Sequence, residues 1–156
     1  MRRARLLALC LGLLPMQLPG QDWSWRLPSL DGRRFVASDQ QPGPLLVNFW
    51  GVDCPPCIAE LPRLQAFADA HPHWQVLLVS TDSPREAAAM LARLDIRLPA
   101  LRGGAGMPAL MRRAGNPQGV LPFSVALPAP GQPICARHLG ELRPADLQQF
   151  REACQH

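Results

Sequence analysis

The chain has 156 residues, 47% of them hydrophobic, and 18 prolines scattered without forming a tract, which suits one domain around a single core. All 16 basic residues are Arg, which excludes a Schiff-base lysine and a lysine beside a buried thiol. The formal charge of +4 falls to +1 once the first 20 residues, with three Arg and no acid, are set aside, and so near-neutral a body has no electrostatic footprint for nucleic acid.

Met1-Arg2-Arg3-Ala4-Arg5 followed by Leu6 to Leu18 reads as a charged region and a short apolar region, the way a secretory signal begins. The apolar run is 13 residues long and broken by Gly12 and Pro15, short of the roughly 20 that cross a bilayer. Residues 1–20 are therefore expected to be a signal peptide cleaved after Gly20, or an N-terminal anchor if cleavage fails, and 21–156 the folded domain. Cys10 leaves with the signal; Leu9 before it is too large for a typical lipobox. Export implies a periplasmic or other oxidising compartment, where paired cysteines are rarely idle.

Trp23 to Phe35 is expected to form a β-hairpin with Asp31-Gly32 as its turn. Leu45-Leu46-Val47-Asn48-Phe49-Trp50 reads as a buried strand. The apolar spacing of Ile58, Leu61, Leu64 and Ala68 predicts a helix from about Pro55 to Ala70, ending before Pro72. Gln75 to Ser80 is a second buried strand, and two parallel strands joined by a helix make a right-handed βαβ unit. Ser83-Pro84-Arg85-Glu86 carries an N-cap, a proline at the first helical position and a glutamate at the third, opening a helix to about Leu94. A short helix is expected from near Pro108 to before Gly115. Leu121-Pro122 then opens the strand Phe123–Leu127, a turn at 128–131 leads into Ile134 to Leu139, and a helix from Pro144 to about Cys154 closes the chain.

At the junction of the first buried strand and its helix stands Cys54-Pro55-Pro56-Cys57. The first turn of a helix offers unpaired N–H groups and the positive end of its dipole, and both favour a thiolate. A second thiol one turn on can close a small disulfide ring, so two-electron exchange becomes possible. Cys54, the more exposed, is the candidate nucleophile, and Cys57 the group that resolves the mixed disulfide. A zinc site wants four ligands, and no second such pair exists in the sequence; no metal and no cofactor are expected. Two thiolates suffice for copper(I), so a copper-binding assembly factor stays open as an alternative. Pro55 and Pro56 remove two N–H donors, and the charge of Asp53 opposes a thiolate next to it. Both push the couple toward the reducing side and away from peroxidase chemistry, which needs a more activated thiolate.

The segment Phe49-Trp50-Gly51-Val52-Asp53-Cys54-Pro55-Pro56-Cys57 resembles the active-site segment of thioredoxin-fold proteins, with Pro62 where that family has its helix-kinking proline. The continuation Cys57-Ile58-Ala59-Glu60-Leu61-Pro62 resembles the C-x-x-E-x-P signature of the TlpA/ResA branch, membrane-anchored or secreted thiol–disulfide oxidoreductases. The resemblance runs from about Trp25 to Phe150 and implies an α/β, thioredoxin-like three-layer fold with an N-terminal β-hairpin extension. It implies that Glu60 handles a proton for the two sulfurs; a solvated helix glutamate is the other possibility. Asn48 stands where thioredoxin itself has a buried aspartate. Pro122 matches the family's cis-proline opposite the cysteines, which leaves the backbone of Leu121 free for a substrate strand. Trp50 belongs either to the core or to the rim of the substrate site. Cys135 and Cys154 are either a structural disulfide or two buried thiols.

The function implied is reduction of disulfides in other exported proteins, of the cytochrome c maturation or oxidase assembly type, with electrons from a membrane-embedded thiol donor. A general disulfide oxidant or isomerase on the same fold is the nearest alternative. Nothing in the sequence sets the oligomeric state.

Overall fold

The computed structural model describes residues 23–155, so the leader expected over 1–20, with Cys10, lies outside the described residues. Strands β1 (Arg26–Pro28) and β2 (Phe35–Ala37) form a small antiparallel sheet in which Leu27 faces Val36. The main sheet has the order β5-β4-β3-β6-β7. In it β3 (Leu45–Trp50), β4 (Gln75–Ser80) and β5 (Ala100–Arg102) are parallel, β6 (Phe123–Leu127) pairs antiparallel with β3, and β7 (Ala136–Leu139) pairs antiparallel with β6. Helices α1 (Pro55–Ala70), α2 (Pro84–Arg93), α3 (Met107–Arg113) and α4 (Pro144–Ala153) complete a thioredoxin-like fold.

The period of two along a strand sorts β3 between two cores. Leu46 and Trp50 join Leu61 and Leu64 of α1, Leu91 of α2, and Leu147 and Phe150 of α4 on one face. Leu45, Val47 and Phe49 meet Leu110 and Met111 of α3, together with Trp23 and Trp25, on the other. Burying a leucine or phenylalanine fully is worth roughly 1.5–3 kcal/mol, and both faces of β3 do it, which fixes the strand's register. Asn48 is the exception: it lies between Leu46 and Trp50 on the face of β3 that α1 covers, and is fully buried.

The helix starts follow their local chemistry. The Ser83 hydroxyl accepts the Glu86 N–H at 3.3 Å as α2 begins, and Asp146 accepts the Arg143 N–H at 2.7 Å as α4 begins. The N-terminal hairpin is shorter and displaced from the span expected for it. Trp23 and Trp25 leave it for the core, where Trp23 meets Phe49 edge-on at 6.3 Å. Two large aromatic surfaces outweigh a marginal ladder. Its turn residue Asp31 accepts from Ser29 Oγ at 2.5 Å and from the Arg33 N–H at 3.0 Å, and Gly32 takes φ +70°. The hairpin leans on the sheet edge through a bridge between Ser29 and Leu101 of β5, a strand of three residues too short to give a periodic signal. The last strand begins at Ala136, not Ile134.

Cys135 and Cys154 are bonded, tying the entry of β7 to the C-terminal end of α4 across 19 residues of chain. A loop of that length removes enough unfolded-state entropy to be worth about 3 kcal/mol. The double variant C135A/C154A is expected to lose about that much stability in denaturant unfolding while the Cys54/Cys57 couple titrates at an unchanged potential; an unchanged unfolding midpoint would show that the bond carries no structural load.

Candidate active site

β3 delivers its last residue, Trp50, to the C-terminal edge of the sheet, and the turn Gly51-Val52-Asp53 lifts the chain into α1. Cys54 is the N-cap: its N–H bonds the Gly51 carbonyl at 3.3 Å, and its Sγ accepts the Cys57 N–H at 3.3 Å. Pro55 and Pro56 occupy the first helical positions and have no N–H to give. Of the three amides that would surround the sulfur, one is left. Cys54 and Cys57 are joined in a disulfide with Cα atoms 5.2 Å apart. The two sulfurs differ sharply in access: Cys54 is half-buried and Cys57 is 0% exposed.

The turn is held from the neighbouring strand. Asp82, just past β4, accepts the Val52 N–H at 2.8 Å and the Ser80 hydroxyl at 3.1 Å with one oxygen. A Cβ on Gly51 would fall 2.8 Å from Thr81 Oγ1, so only glycine lets the two strand ends come this close. Asp82 was not singled out from sequence. The available signal was its place at the carboxyl end of a parallel strand beside the motif, where open α/β sheets collect functional groups.

Beneath the motif, Glu60 is 0% exposed. It lies three residues beyond Cys57 and so on the same face of α1. Its Oε1 accepts from Asn48 Nδ2 at 2.6 Å and its Oε2 from the Leu142 N–H at 2.6 Å. Asn48 Nδ2 also donates to Ser124 Oγ at 2.9 Å, from the residue directly opposite in β6. Desolvation by burial pushes the Glu60 carboxyl up to about 7, against the lowering effect of the Leu142 and Asn48 hydrogen bonds. Glu141 raises it further and Arg63 lowers it, and these two form an ion pair with each other at 2.5 Å. The glutamate is thus an interior acid, not a solvated helix residue.

Leu121–Pro122 is a cis peptide bond and immediately precedes β6. Among the described residues, the N–H and C=O of Leu121 have no hydrogen-bond partner. The side chain of Leu121 reaches to within 3.6 Å of the Cβ position of Gly51, which places it at the motif turn. The approach to Leu121 is fixed by Asn116, a buried side chain that accepts the Val120 N–H at 3.1 Å and donates to the Val120 carbonyl at 2.8 Å. Asn116 was also missed, since an amide that clamps a loop four residues on looks like any loop polar residue. Trp50, offered as a substrate contact, is a core residue at 0% exposure, packed with Cys57 and Leu61. Its position in β3 turns the indole under the helix, where no client can touch it.

Among the described residues, no helix is long and apolar enough to cross a membrane, and no group of three or more His, Cys, Asp or Glu is placed to hold a metal ion.

Comparison with known proteins places this geometry. The model of the AhpC/TSA family matches residues 20–121. Over 37 residues the chain is 49% identical to sporulation thiol-disulfide oxidoreductase A of Bacillus subtilis; the match covers 24% of this chain and 22% of that protein's length. The crystal structure of StoA from Bacillus subtilis superposes with a TM-score of 0.65 at 21% identity, covering 85% of this chain and 96% of that one. A thiol:disulfide interchange protein of the thioredoxin family from Chlorobium tepidum gives a TM-score of 0.72 at 18% identity, covering 88% and 97%. At these identities the two structures show a shared fold.

A raised carboxyl makes a signed prediction. Between pH 4.5 and about 7 the folded protein keeps the Glu60 proton while the unfolded chain has lost it, so stability falls as pH rises through that window and levels off above it. The fall is on the order of 3 kcal/mol. Denaturant unfolding of the oxidised protein and of E60Q across this range is expected to show the slope in the wild type and, as the difference between the two, its removal by the substitution; parallel curves would place the Glu60 titration elsewhere.

Proposed function

Because the chain belongs to the AhpC/TSA family, we propose that it is a thiol–disulfide oxidoreductase that reduces disulfides of client proteins with the Cys54/Cys57 dithiol. The observation that carries this reading is the asymmetry of the pair: a half-exposed sulfur at a helix start, bonded to a fully buried one that shares its helix face with a buried acid.

In the reducing direction the Cys54 thiolate attacks one sulfur of a client disulfide. The client S–S bond breaks, a mixed disulfide forms, and the first client sulfur leaves as a thiolate and takes a proton from solvent. Cys57 then gives its proton to the Glu60 carboxylate and attacks Cys54 Sγ. The mixed disulfide breaks, the second client sulfur departs as a thiolate and is protonated, and the Cys54–Cys57 bond closes. Two electrons have passed to the client, which ends as two thiols. The free N–H and C=O of Leu121 provide one rung for pairing with an extended client segment, and the Leu121 side chain an apolar contact beside it.

The reducing direction is supported by what Cys54 lacks. Two prolines withhold amides, and Asp53 and Asp82 put negative charge on the same turn, so the thiolate is stabilised by little more than the Cys57 N–H. A poorly stabilised thiolate makes the dithiol the higher-energy form and hence the better reductant. The charged and apolar start at residues 1–20 supports export to an oxidising compartment, where such a reductant needs a membrane-embedded thiol donor to recharge it. Resemblance to the TlpA/ResA branch supports clients in cytochrome c maturation or oxidase assembly.

Equilibration with glutathione or dithiothreitol is expected to place the couple nearer the roughly −270 mV of thioredoxin than the roughly −120 mV of DsbA. The same protein should reduce insulin, and C57S should hold a client as a stable mixed disulfide on Cys54. A potential near that of DsbA would reverse the direction of the reaction; failure to exchange with any disulfide would end the reading.

A further inference from the structure

The buried amide of Asn48 is unusual in what it leaves unpaired. Its Nδ2 gives one hydrogen to Glu60 Oε1 at 2.6 Å and the other to Ser124 Oγ at 2.9 Å, while Oδ1 is buried with no partner among the described residues. A buried asparagine is normally held in one orientation by groups on both sides of its amide. Here no donor among the described residues meets Oδ1, so nothing on the far side holds the carbonyl in its present place. On the near side the Ser124 hydroxyl can accept or donate with equal ease. The one group left to choose the orientation is Glu60.

The demand made by Glu60 changes with its charge. As a carboxylate it needs donors, and Nδ2 and the Leu142 N–H each serve one oxygen. As a carboxylic acid protonated on Oε1 it presents an O–H, and that O–H meets the N–H of Asn48 head-on. The Leu142 amide is backbone and cannot answer. The terminal torsion of an asparagine side chain has a broad, roughly two-fold profile, so the half-turn that exchanges O for N meets little torsional resistance, and the bonds Oδ1 gains oppose the cost of leaving the NH2 group on the unpaired side. After it, Oδ1 stands where Nδ2 stood and accepts from both the Glu60 O–H and the Ser124 hydroxyl.

We propose that Asn48 is a positioning residue whose side-chain amide turns over whenever Glu60 gains or loses its proton, so that the acid stays hydrogen-bonded in both charge states. This rests on Glu60 being the proton acceptor of the reaction and deepens that role. The turn carries the change of state from α1 across β3 to the Ser124 hydroxyl in β6, two residues after Pro122. The groups that act on Glu60 from the packed elements are the neutral Asn48 of β3, the Leu142 N–H, and the charged Arg63 of α1 and Glu141 ahead of α4; Ser124 of β6 reaches it only through Asn48. In the disulfide form the sulfurs do not titrate, which isolates the carboxyl.

The test uses the oxidised protein labelled with 13C and 15N, following the Glu60 carboxyl carbon and the Asn48 side-chain amide by NMR from pH 5 to 9. The Asn48 amide protons are expected to be hydrogen-bonded and slow to exchange at high pH, and to lose both signatures at low pH with the midpoint of the Glu60 carbon. In E60Q, the introduced side-chain amide keeps its oxygen toward the Leu142 N–H and turns its NH2 group toward Asn48. That should hold Asn48 in the turned state at every pH. A Glu60 carbon that titrates while the Asn48 signals stay fixed would overturn the proposal and leave the proton-acceptor role standing. A Glu60 carbon that does not titrate in this range would overturn both.

Discussion

A carboxyl group with no exposure to water has to be hydrogen-bonded, and the one in this fold is bonded from two directions that the chain reaches only by folding completely. Asn48 comes from the middle of the sheet and the Leu142 amide from the loop before α4, so Glu60 joins α1 to both. The same burial that makes these bonds necessary lifts the acid to about 7, within the range where it can take a proton and return it. Structure and the proposed chemistry here share one cause: the acid can hold a proton near neutral pH because it is dry. It stays folded because two donors compensate part of the dryness.

Around that acid the two cysteines divide their work by position. The helix start leaves Cys54 half-buried and buries Cys57 in the core between β3 and α1. The turn before them cannot drift, because Asp82 pins the Val52 amide and Gly51 permits the close approach of the two strand ends. The Asn116 clamp sets the opposite wall of the site by fixing the path into Leu121. The first two contacts are made in the loops that leave the carboxyl ends of β3 and β4, and the third in the loop from α3 into the amino end of β6, which lies at the same edge of the sheet. The second disulfide lies away from this edge and braces β7 against α4.

Much of this was legible in the chain because it is written locally. The apolar run Leu45–Trp50, the spacing of α1, the N-cap at Ser83 and the closing helix from Pro144 are short-range signals, and each element is found where they point. The two sulfurs and the acid three residues on are local too. What sequence could not give is contact between distant segments. The Leu142 amide meets Glu60 across 82 residues, Asp82 meets Val52 across 30, and backbone groups carry no residue-type signature at all. Trp50 illustrates the converse: its neighbours in sequence are active-site residues, yet the pleat sends its ring into the core. Cys135 and Cys154 had compatible positions, but only the packing of α4 on the sheet brings their Cα atoms to 5.4 Å.

The central claim is that Glu60 receives the proton of Cys57 when that thiol closes the ring. The most direct measurement isolates that step: reduced protein carrying a small thiol in mixed disulfide with Cys54 is jumped to a series of pH values, and release of the small thiol is followed in a single turnover. The account predicts a rate that rises through an inflection near pH 7 in the wild type, and in E60Q an inflection moved toward the roughly 8.5 of an unassisted thiol. Identical pH profiles for the two proteins would contradict it.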